Sequence, residues 1–347
     1  MANFDDMALA VESFGGANKV IYDNVGLPSI MVGIPKMKYS DIITGGSEEV
    51  LPWWIVDGVE KEVIWVSKFQ NIVVGDRAYS LALKDPKASI NFDSALNACK
   101  NKGAGWHLNQ NGVFAAINLW SQKNGTVPRG NTNYGQSYTH AWEKAIRTAS
   151  ESNGSGVRTT RTATGTGPAS WYHNHDTSGI ADLCGNVWEW VSGMRLVDGE
   201  IQIIPYGNAM KNDCNMGASS TEWKAIMPDG SLVNPGTTGT LKYDVISGAI
   251  KVNTSITSQS NPNIAFKDLK ANSGIEIPKI LIAAGLFPEA SATYGGDRLY
   301  VNNEGERLPF RGSSFGSTSN AGASALGLHY PRSYVSSNIG FRSAFVE

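Results

Sequence analysis

Apolar residues recur along this chain with a changing period, and each change predicts a different element. Ile21-Tyr22 and Ile30-Met31-Val32 are short apolar runs separated by Asp23-Asn24-Val25-Gly26, which reads as two strands and a turn. Pro28 and Pro35 suit edge positions, because proline has no N–H to give to a neighbouring strand. Residues 63–69, VIWVSKF, read as a buried strand. Phe92, Leu96 and Cys99 then recur at helical spacing, with Asn91 or Asp93 to cap the start and Gly103 to stop the end. Val113, Ile117 and Trp120 define one face of a second helix, which Gly125 ends. A shorter amphipathic run over residues 141–146 follows a loop with Pro128 and Gly130 and predicts a third. Residues 151–168 are polar and aperiodic and read as loop.

Further along, residues 181–190 (ADLCGNVWEW) alternate as a strand, with Trp188 and Trp190 on one side and Val187, Glu189 and Val191 on the other. Residues 241–252 read as a hairpin turning at Ser247-Gly248. Pro278 suits the first turn of a short helix running to Ala284, with Gly285 past its end. Phe341, Ser343 and Phe345 alternate with Arg342, Ala344 and Val346 in a last strand. The whole reads as a loop-rich α+β chain. Residues 1–50 form a small N-terminal β module, too short to build much of a core alone, which packs on the main domain or on a second copy. Residues 51–347 form the main domain, with an insertion at about 195–300.

Composition narrows the function classes. The chain has 347 residues, 41% hydrophobic and 17% charged, and a formal net charge of -2. That balance suits a globular protein and offers no basic field for nucleic acid. No stretch is long enough to insert in a membrane, and the start lacks the basic and apolar segments of a signal peptide, so synthesis in a cytoplasm is expected. Cys99, Cys184 and Cys214 are odd in number and not at metal spacing, which argues against a disulfide-stapled scaffold. Cys99 falls on the apolar face of the first helix, and a Cys184–Cys214 pair stays open.

The tail, residues 311–347, interleaves two kinds of residue. A skeleton runs through Arg311-Gly312, Ser319-Asn320-Ala321-Gly322, Ala325-Leu326, Leu328, Arg332-Ser333 and residues 338–343 (NIGFRS). Between these sit Ser314, Phe315, Gly316, Ser317, Gly327, His329, Tyr330, Tyr334, Ser336 and Ser337, with no Lys or Glu. Tyrosine gives a large amphipathic contact for two torsions, and Ser and Gly give adaptable hydrogen bonding, the palette of antibody loops. That second set is therefore the candidate ligand-binding surface, with Tyr330 and Tyr334 as its energetic anchors.

This skeleton resembles the variable region of diversity-generating retroelement proteins. In that family a template RNA is copied with errors at adenines. Asn codons of the AAY type then scatter to residues such as Ser, Gly, Tyr and His, and never to Lys, Glu, Gln, Met or Trp. None of those five occurs in residues 313–337. The string GNVWEW at 185–190 looks like the signature of the C-type lectin fold of the formylglycine-generating-enzyme and sulfatase-modifying-factor kind, which such variable proteins share. With RGSS at 311–314 and NIGFRSAF at 338–345 it keeps the expected order across residues 50–347. Residues 1–50 resemble the attachment segments of phage-encoded variable proteins.

The resemblance implies a binder with no enzymatic activity and no required cofactor. Its partner would be a host-surface protein or glycan, and its place a virion tail-fibre tip or a cell surface, where a homo-trimer would suit. The alternative it brings is an oxidase like the formylglycine-generating enzyme, or an inactive relative. That chemistry uses cysteines in the C-terminal segment, and residues 311–347 contain none. His173 and His175 sit two apart with no third His near, a weak metal signal. The family also holds a structural calcium at the GNVWEW-type motif. By match, Asp182, the carbonyls of Gly185 and Val187, and Glu189 would supply its hard oxygen ligands.

Overall fold

Two sheets meet at Arg342, and their meeting decides where the tail lies. In the computed structural model, which describes residues 2–13, 15 and 17–347, the last run of the chain is not one strand. (Met1, with which the N-terminal reading begins, lies outside the described residues.) Ile339–Phe341 pairs in parallel with Trp188–Trp190, whereas Ser343–Phe345 lies between Val63–Ser67 and Trp106–Leu108 in another sheet. Arg342 is the joint between them. Its side chain is fully buried and donates through Nε and Nη2 to the two carboxylate oxygens of Glu189, each at 2.7 Å. It also donates to the carbonyls of Ser67 at 2.7 Å and Ala181 at 2.9 Å. A buried charge persists only when paired and hydrogen-bonded, and here every nitrogen of the guanidinium has a partner.

The architecture is mixed α/β, rich in sheet and poor in helix. The first sheet has the strand order Asn18–Tyr22, Pro28–Pro35, Val63–Ser67, Ser343–Phe345, Trp106–Leu108. The small β module expected at residues 1–50 thus shares a sheet with the main domain. Pro28–Pro35 pairs with Val63–Ser67 over its length, from Met31 opposite Ser67 to Pro35 opposite Val63, so the sheet runs unbroken across residue 50. The second sheet, which carries the tail, runs Asn263–Ala265, Arg298–Val301, Leu326–Leu328, Phe310–Arg311, Trp188–Trp190, Ile339–Phe341. The insertion builds a third sheet around the Lys242–Ile246 and Ala249–Asn253 hairpin. It also lends Asn263–Ala265 and Arg298–Val301 to the tail sheet, so it is woven into the domain.

The helices follow their sequence signals. Phe92–Lys100 is capped by Asn91, whose side chain accepts from the Ser94 N–H at 2.8 Å, and it buries Phe92, Leu96 and Cys99. Asn111–Lys123 is apolar on almost every side and crosses the core. Its Gly112 lets the Trp53 indole lie against the backbone, where a Cβ would fall 0.8 Å from Trp53 Nε1. Residues 141–146 form no helix. Trp142 and Ile146 are exposed, and Glu143 turns inward to Arg129, Ser170 and the Trp171 indole instead. Six residues give fewer than two turns, too little helix to outweigh those bonds. The expected loop at 151–168 contains a small hairpin, Ser150–Ser152 with Val157–Thr159. No helix among the described residues is long and apolar enough to cross a membrane.

Replacing Arg342 with Met strands the Glu189 carboxylate in the core. The expected loss is about 3–5 kcal/mol of unfolding free energy in urea titration. A second change, Glu189→Gln, is expected to recover part of it, as a double-mutant cycle will measure.

Candidate binding site

The tail borders a cleft of about 480 Å³. All the predicted contact residues line it except Gly327. Gly327 lies within the buried Leu326–Leu328 strand opposite Phe310, and a Cβ there would meet the Phe310 ring at 2.2 Å. It is packing, not contact, because only a residue without a side chain lets that ring lie flat on the strand. Ser314 and Phe315 do border the cleft but are buried, so they form its wall rather than its exposed surface.

The floor is a run of aromatic rings. Tyr330 and Tyr334 stack with centroids 3.5 Å apart at 11°, and Tyr330 stacks on Phe310 at 5.7 Å and 17°. Phe310 is held edge-on by Trp188 at 5.1 Å and Trp190 at 5.3 Å, so the GNVWEW motif supports the cleft from beneath. His329 sits 4.0 Å from Tyr330 and 5.2 Å from Tyr300. Tyr330 and Tyr334 are therefore half-buried, one side on the core and the other toward the cleft. Sequence reasoning missed Tyr134, Glu151, Trp188 and Tyr300, which reach the cleft from distant parts of the chain with no local signal. Thr318, Asn320 and Asn338 also border it, and their place in the tail could have suggested them.

What holds the tail is its backbone. The Asn186 carbonyl accepts from the Phe315 N–H at 3.0 Å, and the Phe315 carbonyl from the Tyr134 N–H at 2.8 Å. The carbonyls of Arg332, Ser336 and Asn338 accept from the N–H groups of Phe92, Ser89 and Trp188. The skeleton side chains add clamps. Arg311 is buried and donates to Asn111 Oδ1 at 2.8 Å and to the carbonyls of Ala284 and Gly285. Arg332 reaches Asp93 at 2.6 Å and Glu306 at 3.1 Å. The candidate contact side chains mostly bond within the tail, as Ser336 Oγ does with Asn338 Oδ1 at 2.6 Å.

The cleft is close to electrically neutral. Glu151 is the one Asp, Glu, Lys or Arg among its described lining residues, and Arg158 pairs with it at 2.6 Å while lying 3.7 Å over the Tyr134 ring. Burial, helped by nearby Arg307, pulls the His329 imidazole down to about 4, and its Nδ1 has no hydrogen-bond partner. Burial and a hydrogen bond with Tyr334 push the Tyr330 hydroxyl up to about 12. Beside the Glu151–Arg158 pair, the site at neutral pH presents uncharged rings, hydroxyls and amides.

The expected calcium ligands do converge, but on a protein group. The Gln70 side-chain amide donates to the carbonyls of Asp182 (3.2 Å), Gly185 (3.3 Å) and Val187 (2.9 Å) and to Glu189 Oε1 (3.0 Å). Asp182 thus contributes its backbone, while its carboxylate accepts from the Gly165 N–H and burial pushes it up to about 6. His173 and His175 do not converge on one point. His173 Nδ1 accepts from the Ile180 N–H at 2.8 Å, His175 turns to the Val127 carbonyl, and no metal-binding cluster of His, Cys, Asp and Glu occurs among the described residues. All three cysteines are buried and free, which settles the open Cys184–Cys214 pairing. Burial pushes the thiols of Cys184 and Cys214 up to about 12, far from thiolate formation.

No family model and no curated protein matches the sequence. Solved structures are similar to it at low identity. Treponema denticola variable protein 1 is 10% identical with a TM-score of 0.37, covering 96% of this chain and 100% of that one. The Major Tropism Determinant U1 variant is 11% identical with a TM-score of 0.31, covering 91% of this chain, which spans 63% of that protein's length. PvdO from Pseudomonas aeruginosa is 13% identical with a TM-score of 0.33, covering 96% and 100%. The structural neighbours thus include variable proteins of the diversity-generating retroelement kind. The overlaps are loose, so function has to be read from the site's own geometry.

A depressed imidazole has a definite pH signature. The folded protein resists protonating His329 between its ordinary 6.5 and about 4, while the unfolded chain does not. The stability this residue contributes is complete above 6.5 and is lost as pH falls from 6.5 toward 4. The expected outcome is a smaller drop in melting temperature between neutral and mildly acid pH for His329→Phe than for the unaltered chain, measured by calorimetry.

Proposed function

We propose that this chain is a non-enzymatic ligand-binding protein whose C-terminal region is diversified by a retroelement. The observation that carries this reading is the division of labour in the tail. Its backbone and arginines are held by groups outside it, while the exchangeable side chains other than Gly327 share one cleft. Side chains that bear little of the fold can be exchanged at small cost in stability, as a variable surface requires. The proposed architecture is the C-type lectin-type fold of the formylglycine-generating-enzyme kind. Protonated, buried thiols support a binder over an oxidase.

The proposed partner is a host-surface protein or glycan, met at a phage tail-fibre tip or a cell surface by a homo-trimer. A neutral cleft with an aromatic floor supports such a partner over nucleic acid, whose phosphates need cations. Two measurements test this. Sequencing beside the gene should find a near-identical repeat of its 3′ end that differs only at adenines, with a reverse transcriptase nearby; an isolated gene with no repeat counts against diversification. Against a ligand recovered by screening host surface molecules, Tyr330→Ala and Tyr334→Ala should each weaken Kd by roughly 30-fold, about 2 kcal/mol. Unchanged affinity in both variants, at unchanged melting temperature, removes the cleft as the binding site.

A further inference from the structure

We infer that the side-chain amide of Gln70 takes the place of a divalent cation at the centre of this fold. Three carbonyls and a carboxylate oxygen, from Asp182, Gly185, Val187 and Glu189, point at one atom, Gln70 Nε2, at 2.9–3.3 Å. They come from the four residues expected to bind calcium, with the backbone carbonyl of Asp182 in place of its carboxylate. An amide has two hydrogens, so each is shared between oxygens, and the spacing is that of N–H···O contacts rather than of calcium–oxygen bonds near 2.3–2.6 Å.

The orientation of the amide follows from an unambiguous donor. The Thr162 backbone N–H donates at 2.9 Å to one side-chain atom of Asn186, which is therefore its oxygen. The other atom, Asn186 Nδ2, then donates to Gln70 Oε1 at 3.0 Å. Gln70 is left with its nitrogen toward the four oxygens. Turning it over would set two NH₂ groups against each other and two sets of acceptors against each other.

The charges agree. The one carboxylate in the set already has its cation, with Arg342 at 2.7 Å from each oxygen. A doubly charged ion would sit beside that fixed positive charge with three neutral carbonyls to offset it. Gln70 fills the space with a neutral donor and costs no such repulsion. The loop it ties down leads into Trp188–Trp190, and its Asn186 carbonyl holds Phe315. The cleft wall is thereby fixed from within the chain, with no bound ion required.

The test uses the full chain and needs no ligand. Melting temperature is compared in excess chelator and in millimolar calcium, and calcium content is measured after dialysis. The expected result is the same melting temperature in both and no stoichiometric calcium. A rise of several degrees in calcium, or one calcium per chain, overturns the inference. Gln70→Met keeps the size and removes the donor, and should melt on the order of 5 °C lower in either buffer. Wild-type melting of that variant overturns the inference as well. Should the variant fail to fold, the wild-type comparison still decides. None of these outcomes bears on the binding reading, which rests on the tail.

Discussion

The buried pair of Arg342 and Glu189 is the interaction on which the rest depends. Glu189 lies on the strand of the GNVWEW motif, and Arg342 lies between the strand of the tail sheet and the strand of the N-terminal sheet. Two charges taken out of water tolerate little change in geometry, because losing either partner leaves the other uncompensated. The pair therefore ties three distant segments into one register. Gln70 extends it, binding the same carboxylate and the carbonyls of the loop before it. A network in which each polar group is satisfied specifies one arrangement of chain.

The cleft inherits its shape from that network. Trp188 and Trp190 flank Glu189 and project to the opposite side, where they grip Phe310, and Phe310 carries the stacked Tyr330 and Tyr334. A change at Tyr334 alters the outermost ring of this series and leaves the rings nearer the core in place. The cleft is also lined by Tyr134 and by Glu151 of the Ser150–Ser152 strand, which belong to the body of the domain. A ligand would thus meet the tail and the body of the domain together.

Several elements were legible because their signals are local. The Asn91 cap and the Ser247-Gly248 turn each depend on a few consecutive residues and appear where expected, whereas of the strand expected over residues 181–190 only Trp188–Trp190 forms, because Asp182, Gly185 and Asn186 take left-handed backbone and residues 182–187 form a loop. The run at 141–146 misled because helical spacing over six residues is weak, and Glu143 found better bonds in Arg129 and Trp171. Gly327 misled for another reason. Its small size suits a variable surface and a close strand contact equally, and only the pairing with Phe310 separates them. Asp182, Gly185, Val187 and Glu189 were singled out together by their resemblance to a calcium site, but the group on which they converge, Gln70, lies 112 residues before Asp182 and announces nothing locally.

The amino-acid order alone therefore determined the mixed class, the main strands and three helices, and most of the tail residues that gather at the cleft. These follow from periodicity, turn chemistry and the kinds of side chain present, which are properties of neighbours along the chain. Tertiary structure alone decided that the N-terminal hairpin joins the main sheet, that the insertion shares the tail sheet, and that Tyr134, Glu151 and Tyr300 complete the cleft. It also decided that an amide meets the oxygens of the expected metal site. Each of these is a contact between segments far apart in sequence, set by which buried polar groups and apolar faces satisfy one another once the chain has closed.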